Sequence, residues 1–326
     1  MYKIEDLRTV EAQIAELVKK RKEIIDAISE TDLHLTADGL VSNEFMKGFS
    51  CVDKLEIDEN TVVCYQGVPG AYSQQAMFQF FGKHIRNIHV PDFSDVIDMV
   101  KSGKAQYGVL PIENSSAGFV SGIYDMVGDC DITIVGEEEI PVAHALMGVP
   151  GTELSQIKTV YSHTQGLLQC THYLDSKPWK RCSVANTAVA AVKVIEDGDK
   201  SQAAIASELA AEIYGLQILA KNIVNNDNNT TRFIILSNEK IFVKKAKNIS
   251  IRFSLPDESG TLYNILSHIN LNGINMTSIE SRPLEGRKWE YSFFVTMEGN
   301  LLDSRTKHAL QGIYKDAMDF RLIGTY

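Results

Sequence analysis

Cysteine is scarce and scattered: Cys51, Cys64, Cys130, Cys170 and Cys182 form no C-x-x-C pair. That spacing gives no zinc knuckle and no disulfide framework, and it fits reduced, mostly buried thiols. Long apolar runs are missing as well. No stretch approaches the roughly 18 apolar residues of a membrane span. The opening MYKIEDLRTVEAQ lacks the apolar centre of a signal peptide, so the expectation is a cytoplasmic protein with no membrane partner. Excess positive charge is absent too. The 32 Lys+Arg against 42 Asp+Glu leave a net −10, which offers no basic face for nucleic acid. Neither GxGxxG nor GxxxxGK[ST] nor a G-x-S-x-G elbow occurs.

What remains is globular composition: 326 residues, 44% hydrophobic, 23% charged. The length suits about two domains at ~150 residues each. The charge is unevenly placed. Residues 1–60 carry a net −6, residues 61–246 a net −4, and residues 247–326 none. This divides the chain into three segments: an acidic leader over 1–60, a central segment over 61–246 and a neutral tail over 247–326.

The leader opens on a helical seam. Leu7, Val10, Ile14, Leu17, Arg21, Ile24 and Ile28 recur by three and four residues. A single helix cannot bury such a seam alone, so it must pack on the rest of the chain or on a second copy. Residues 31–60 lose periodicity and read as a linker.

The central segment alternates strands with helices of ~10 residues, which predicts parallel sheets covered on both faces. Strands are expected at Thr61–Gln66, Ile88–Pro91, Tyr107–Pro111, Thr159–Tyr161, Ser183–Ala185 and Ala203–Ala206. Ser73 and Ser94 are expected to cap the first two helices. The tail reads βαββαβ, the ferredoxin-like split. Its strands are Ile249–Leu255, Ile274–Arg282, Trp289–Met297 and Phe320–Ile323, and its helices Thr261–Asn272 and Asp303–Tyr314.

Four strand-end loops share small hydroxyl or amide residues: Gly70–Ser73, Pro111–Ser116, Ser162–Gln165 and Asn186–Ala188. Such groups at helix N-termini bind carboxylates or phosphates, or simply cap the helices. Four in one α/β segment favour an anion-binding cleft. A fifth loop, Asn228–Phe233, brings Arg232, which either clamps a substrate carboxylate bidentately or bridges to a structural acid. Glu113 is either an acid at a strand end or a surface carboxylate. His163 is either an acid/base group or a hydrogen-bonded, half-buried histidine.

In order, the strings YQGVPGAYS, YGVLPIENSSAG, YSHTQGLLQC, AAIASELAAEIYGLQILAKNI, NNTTRFIIL and SIESRP resemble prephenate dehydratases over roughly residues 61–326. The resemblance implies a two-lobed catalytic part like a type-II periplasmic binding protein, followed by an ACT domain. It implies a lyase that converts prephenate to phenylpyruvate, water and CO2 without metal or organic cofactor, feedback-regulated by phenylalanine. A homodimer or homotetramer is implied. Close alternatives are an arogenate dehydratase and a non-catalytic sensor of prephenate or phenylalanine.

By the family pattern Thr231 donates to the departing hydroxyl, with Glu113 and Arg232 as catalytic neighbours. Substrate contacts are implied at Ala71, Tyr72, Ser73, Asn114, Ser115, Ser162, His163, Gln165, Asn186, Thr187, Ala188 and Phe233. Phenylalanine contacts are implied at Thr261, Leu262, Asn275, Glu280, Ser281 and Arg282. Two positions depart from the pattern: Thr164 stands where proline is usual, and Thr261 where alanine is. The first loosens the turn; the second places a hydroxyl and a methyl where the inhibitor should lie. The leader resembles the first helix of an AroQ-type chorismate mutase at Glu11, Leu17 and Arg21. That mutase's first arginine would fall at Ile4, and its second and third helices have no counterpart in residues 31–60. No mutase activity is expected.

Overall fold

The computed structural model describes residues 4–27, 43–120, 122–284, 286–287 and 289–326. Ile28 of the seam and residues 31–42 of the linker lie outside them. The chain gathers into two compact units, Met1–Leu55 with Lys240–Tyr326, and Glu56–Glu239. The leader and the tail thus belong to one unit, where the charge pattern suggested separate segments.

The first unit begins with helix α1 (Ile4–Ala27). Its seam residues Leu7, Val10, Ile14, Leu17 and Ile24 are exposed, while the Arg21 guanidinium donates to the Leu271 carbonyl. Strand β1 (Ser50–Val52) follows within the expected linker.

The second unit holds two lobes. In the first, β2 (Val62–Gln66) leads to α2 (Tyr72–Phe81), β3 (Arg86–Val90), α3 (Phe93–Lys101) and β4 (Tyr107–Asn114). β5 (Gly118–Phe119) and α4 (Ile123–Gly128) lead on to β6 (Thr133–Pro141). The second lobe runs β7 (His144–Gly148), β8 (Thr159–Ser162), α5 (Thr164–Leu168), α6 (Thr171–Leu174), β9 (Lys180–Ser183), α7 (Thr187–Asp197), β10 (Gln202–Ser207), α8 (Glu208–Tyr214) and β11 (Gln217–Ala220). The chain then returns to the first lobe as β12 (Thr230–Ser237).

The sheet orders are β6-β12-β4-β2-β3 and β11-β7-β10-β8-β9. Both are mixed rather than parallel. β2, β3 and β4 run parallel, but β12 is antiparallel to β4 and to β6, and β10 is antiparallel to β7. The exit and return of the inserted lobe lie side by side, since Thr230 pairs Pro141 and the Val142 N–H donates to the Asn229 carbonyl at 2.8 Å.

Two expected caps are corrected. α2 starts at Tyr72 after Ala71, because the Ser73 hydroxyl turns inward to the Gln66 carbonyl. α3 starts after Asp92, whose N–H is received by Asp95 at 3.2 Å. Cys64 and Cys170 are buried, and burial pushes their thiols up to about 11 and about 12. Cys51 is exposed, and Cys130 and Cys182 are half-buried, so only two of the five thiols sit in the core.

The first unit is completed by β13 (Ile241–Val243), parallel to β1, and by the βαββαβ run. The run is β14 (Asn248–Leu255), α9 (Thr261–Leu271), β15 (Met276–Pro283), β16 (Tyr291–Glu298), α10 (Ser304–Asp316) and β17 (Asp319–Thr325), with sheet order β15-β16-β14-β17. Ile249, Ile251, Phe253, Ile265, Val295 and Leu310 form its core. Their alternation on strands and helical spacing match the sequence pattern.

Candidate active site

Parallel neighbours deliver their loops to one end of a sheet. β2 and β4 bring Gly70–Ser73 beside Asn114–Ser116, and β8 and β9 bring Ser162–Gln165 beside Asn186–Ala188. The four loops therefore fall into two pairs, one per lobe. α8 and its capping residue tie the lobes together: the hydroxyl of Ser207, at the end of β10, donates to the Gly70 carbonyl at 2.6 Å, and the Tyr214 hydroxyl to the Pro69 carbonyl at 2.8 Å.

Register fixes the centre of the first lobe's end. β12 pairs Thr231 with Asn114 and Arg232 with Glu113. The Asn114 amide donates to Thr231 Oγ1 at 2.9 Å and to Asn229 Oδ1 at 2.8 Å. Its carbonyl oxygen accepts the N–H groups of Ser116 and Ala117 at 3.0 and 2.9 Å. Both asparagines are buried. Asn114 thus occupies an acceptor site on the Thr231 oxygen and leaves that hydroxyl's own hydrogen to donate elsewhere. Ser115 accepts the Thr230 N–H at 2.9 Å and donates to the Asn228 carbonyl at 3.2 Å, pinning this loop.

Arg232 faces away from Thr231. The extra residues in the register fall on β4 and β6, so the faces of β12 alternate without interruption. Phe80 of α2 reaches Gly136 beside Ile235, on the face of Thr231 and Phe233; Val96 and Val100 of α3 reach Gly108 beside Leu236, on the face of Arg232. There Arg232 meets Glu139 at 3.0 Å, Glu113 at 3.2 Å and Glu137 at 3.7 Å. Burial alone would lower its pKa, but Glu139, Glu137 and Glu113 more than offset that and raise it. Arg232 takes the structural of its two readings, and Glu113 is its partner. Phe233 is buried on the Thr231 face.

The second lobe's loops are largely self-satisfied. Ser162 is fully buried and its hydroxyl donates to the Ile205 carbonyl at 2.7 Å, so the expected carboxylate clamp is a core hydrogen bond. His163 is exposed rather than half-buried, and its Nδ1 accepts the Gln165 N–H at 3.2 Å as the cap of α5. Thr164 bonds Ser183 at 2.6 Å. The Asn186 carbonyl oxygen caps α7 through Val189 N–H at 2.8 Å, with Thr187 half-buried beside it and Ala188 buried. The Ser73 hydroxyl is likewise committed inward, and the Gly70 and Ala71 N–H groups are spent on Gln74 and the Val68 carbonyl, leaving the Tyr72 and Ser73 amides at the start of α2 as donors.

Sequence reasoning missed His144 and Gln169. His144, buried at the start of β7, lies 3.0 Å from the Tyr72 hydroxyl through Nδ1 and 3.0 Å from Gln169 Oε1 through Nε2. Burial lowers its pKa to about 4, against a smaller raising effect of Gln169, and burial pushes the Tyr72 phenol up. A lone histidine on an apolar strand carries no sequence signal of its role. A cavity of about 810 Å³ is lined by Tyr72, Phe78, Pro141, Ser207 and Glu208 among others, with Thr231 and Asn114 outside its lining. Among the described residues no cluster of His, Cys, Asp and Glu could hold a metal ion, and no helix is long and apolar enough to cross a membrane.

In the βαββαβ unit, the Thr261 hydroxyl donates to the Glu258 carbonyl at 3.0 Å, and Leu262 packs on the core. Glu280 and Arg282 face each other at 3.7 Å on edge strand β15, with Ser281 on the opposite face and Asn275 exposed just before the strand.

The profile of the family described as prephenate dehydratase matches residues 63–241. A bifunctional chorismate mutase/prephenate dehydratase of Enterobacter agglomerans is 34% identical over 81% of this chain and 70% of that protein. An arogenate dehydratase/prephenate dehydratase of Arabidopsis thaliana is 36% identical over 82% and 72%. A solved prephenate dehydratase of Arthrobacter aurescens, in complex with L-Phe, superposes with a TM-score of 0.76 at 30% identity, covering 82% of this chain and 89% of that one. This chain belongs to the prephenate dehydratase family.

Proposed function

We propose that the chain converts prephenate to phenylpyruvate, water and CO2 in phenylalanine biosynthesis. The observation that carries the reading is Thr231, held by Asn114 with its hydroxyl hydrogen free to donate, in the segment that matches the family. Breaking the bond to the ring carboxylate releases CO2 and sends its electron pair into the ring. The C4–oxygen bond breaks in turn, and the departing hydroxide takes a proton to become water. Aromatisation supplies the drive. The protein has to hold two carboxylates and meet charge growing on the leaving oxygen, which is a task for fixed dipoles. Thr231 points its O–H at that oxygen, with its proton relayed since a threonine is a weak acid. The N–H groups at the starts of α2, α5 and α7 hold the carboxylates.

The βαββαβ unit acts as an ACT domain for L-phenylalanine, with Thr261, Leu262, Asn275, Glu280, Ser281 and Arg282 around the ligand. The assembly is a cytoplasmic homodimer or homotetramer, supported by the uncovered seam of α1 and by β15, which ends its sheet. α1 serves as a packing helix and carries no mutase activity.

The test is to incubate purified protein with prephenate and follow phenylpyruvate, with and without phenylalanine, and with arogenate as a competing substrate. Phenylpyruvate formation is expected. Thr231→Ala should abolish turnover while prephenate still binds, and an unchanged kcat refutes the role given to Thr231. Binding without turnover by the unaltered chain would instead make it a sensor.

A further inference from the structure

His144 is the first residue of β7, immediately beyond the connection Val142–Ala143 that leaves the first lobe. Its carbonyl receives the Ile223 N–H at 2.9 Å, from the returning connection. Its ring spans both lobes, from Tyr72 at the start of α2 to Gln169 at the end of α5. A Cβ placed on Gly166 would lie 2.6 Å from Ser162 Oγ, 3.3 Å from Thr187 Cγ2 and 3.6 Å from His144 Nε2. The imidazole therefore lies beside Gly166 of α5, the glycine that Thr187 at the start of α7 also approaches.

We propose that His144, as a neutral imidazole carrying its hydrogen on Nε2, is a positioning residue that sets how the Tyr72 loop of one lobe faces the α5 and α7 helix starts of the other. The inference rests on the dehydratase reading for its effect on turnover, but not for the tautomer. As placed, Nε2 faces the Gln169 carbonyl oxygen and donates to it, and in the neutral ring Nδ1 is then left to accept the Tyr72 hydroxyl hydrogen. One tautomer satisfies both bonds. Protonation would turn Nδ1 into a donor, strand the phenol hydrogen, and bury a cation between two uncharged partners.

Both ring partners are uncharged. The charged groups on the helices packed against β7 are Glu208 and Glu212 on α8 and Lys193, Glu196 and Asp197 on α7. β10 and β11 carry none, and buried Cys170 adjoins Gln169. Glu208 and Cys170 act electrostatically on Tyr72.

The experiment uses full-length protein and three variants. Nitrogen-15 NMR of the histidine rings should find His144 neutral, with the Nε2–H tautomer, at pH 7 and still neutral at pH 5. Turnover of prephenate by the unaltered chain is the separate control for the dehydratase reading. His144→Ala should lower kcat ~100-fold with less effect on KM, the scale of an ångström of misplacement at a reacting group. His144→Gln keeps one acceptor and one donor, and should recover at least about tenfold of that loss. It should also flatten the acid limb of the kcat profile. If His144→Ala fails to fold, Tyr72→Phe removes the same bond and should lower kcat likewise. A protonated or Nδ1–H ring at pH 7 overturns the proposal. So does an acid limb unchanged in His144→Gln, or a full kcat in folded His144→Ala or Tyr72→Phe.

Discussion

Gly70 is where the first lobe's turn touches the second lobe, and it makes two separable demands. Its φ is +89°, and an added Cβ would lie 2.7 Å from Ala210 Cα and 2.8 Å from Ala210 Cβ, on α8. Gly82, at the end of α2, shares the φ of +89° but has nothing within 4 Å of its Cβ position. Gly82→Ala thus reads the backbone cost alone, about 1–3 kcal/mol. Gly70→Ala adds a clash with helix backbone that no rotamer can relieve, about 1–3 kcal/mol more on the scale of overpacking.

The turn cannot simply back away. Its Gly70 N–H donates to Gln74 at 2.7 Å, and its carbonyls hold Ser207 and Tyr214. Gly70→Ala should therefore cost about 2–6 kcal/mol, clearly more than Gly82→Ala, in urea unfolding at pH 7. It should also lower kcat/KM, because the strain falls between the lobes. Adding Ala210→Gly should return only part of the loss, since the shorter contact is to Cα. Equal destabilisation by Gly70→Ala and Gly82→Ala would refute the contact, and full rescue by Ala210→Gly would refute its assignment to backbone.

Three further outcomes follow from the geometry. Asn114→Asp keeps an acceptor for the Ser116 and Ala117 N–H groups but removes the donor facing Thr231, so kcat should fall ~10²-fold with stability reduced by about 1–3 kcal/mol; steady-state kinetics beside a melting curve check this. Arg232→Met leaves Glu113, Glu137 and Glu139 without their shared cation. With the guanidinium one-third exposed, it should cost about 1–2 kcal/mol while kcat of the folded protein stays within a few-fold; a collapse of kcat without loss of stability would return Arg232 to the substrate. The pKa of His144 is about 4 folded, below its ordinary 6.5, so the unfolded chain binds the proton first as pH falls. Stability from this group is complete above pH 6.5 and lost towards pH 4, about 2 kcal/mol of it between pH 7 and pH 5. Denaturant titrations of the unaltered protein and His144→Gln should diverge by that amount.

Much of the fold was legible because short apolar runs end at Gly or at a capping residue, as Val62–Gln66 ends at Gly67. β6 was not, because Glu137, Glu138 and Glu139 interrupt its apolar pattern; only the structure supplies Arg232 and Gln79 as their partners. The strand-end loops were legible by composition, but the direction of each side chain was not. Ser73 and Ser162 look like ligand donors in sequence and are spent on carbonyls of neighbouring strands. The roles of Arg232 and Glu113 depend on a register between strands more than a hundred residues apart, which no local pattern encodes. Thr231 was singled out by resemblance, whereas its contact with Asn114, itself bonded to Asn229, comes from that same non-local pairing.

The adjacent exit and return of the second lobe carry a consequence for how the protein is made and remade. Pro141 and Thr230 are ladder partners, so everything between them is an insertion whose two ends touch. β12 has to wait for that insertion before it can join β4 and β6, and a lobe that folds first turns a costly long closure into a short one. New termini opened within the second lobe's surface loops should be tolerated, because the first sheet already holds both cut ends together. Thr231 sits one residue past that seam, so its hydroxyl is set beside Asn114 only when the insertion has closed behind it.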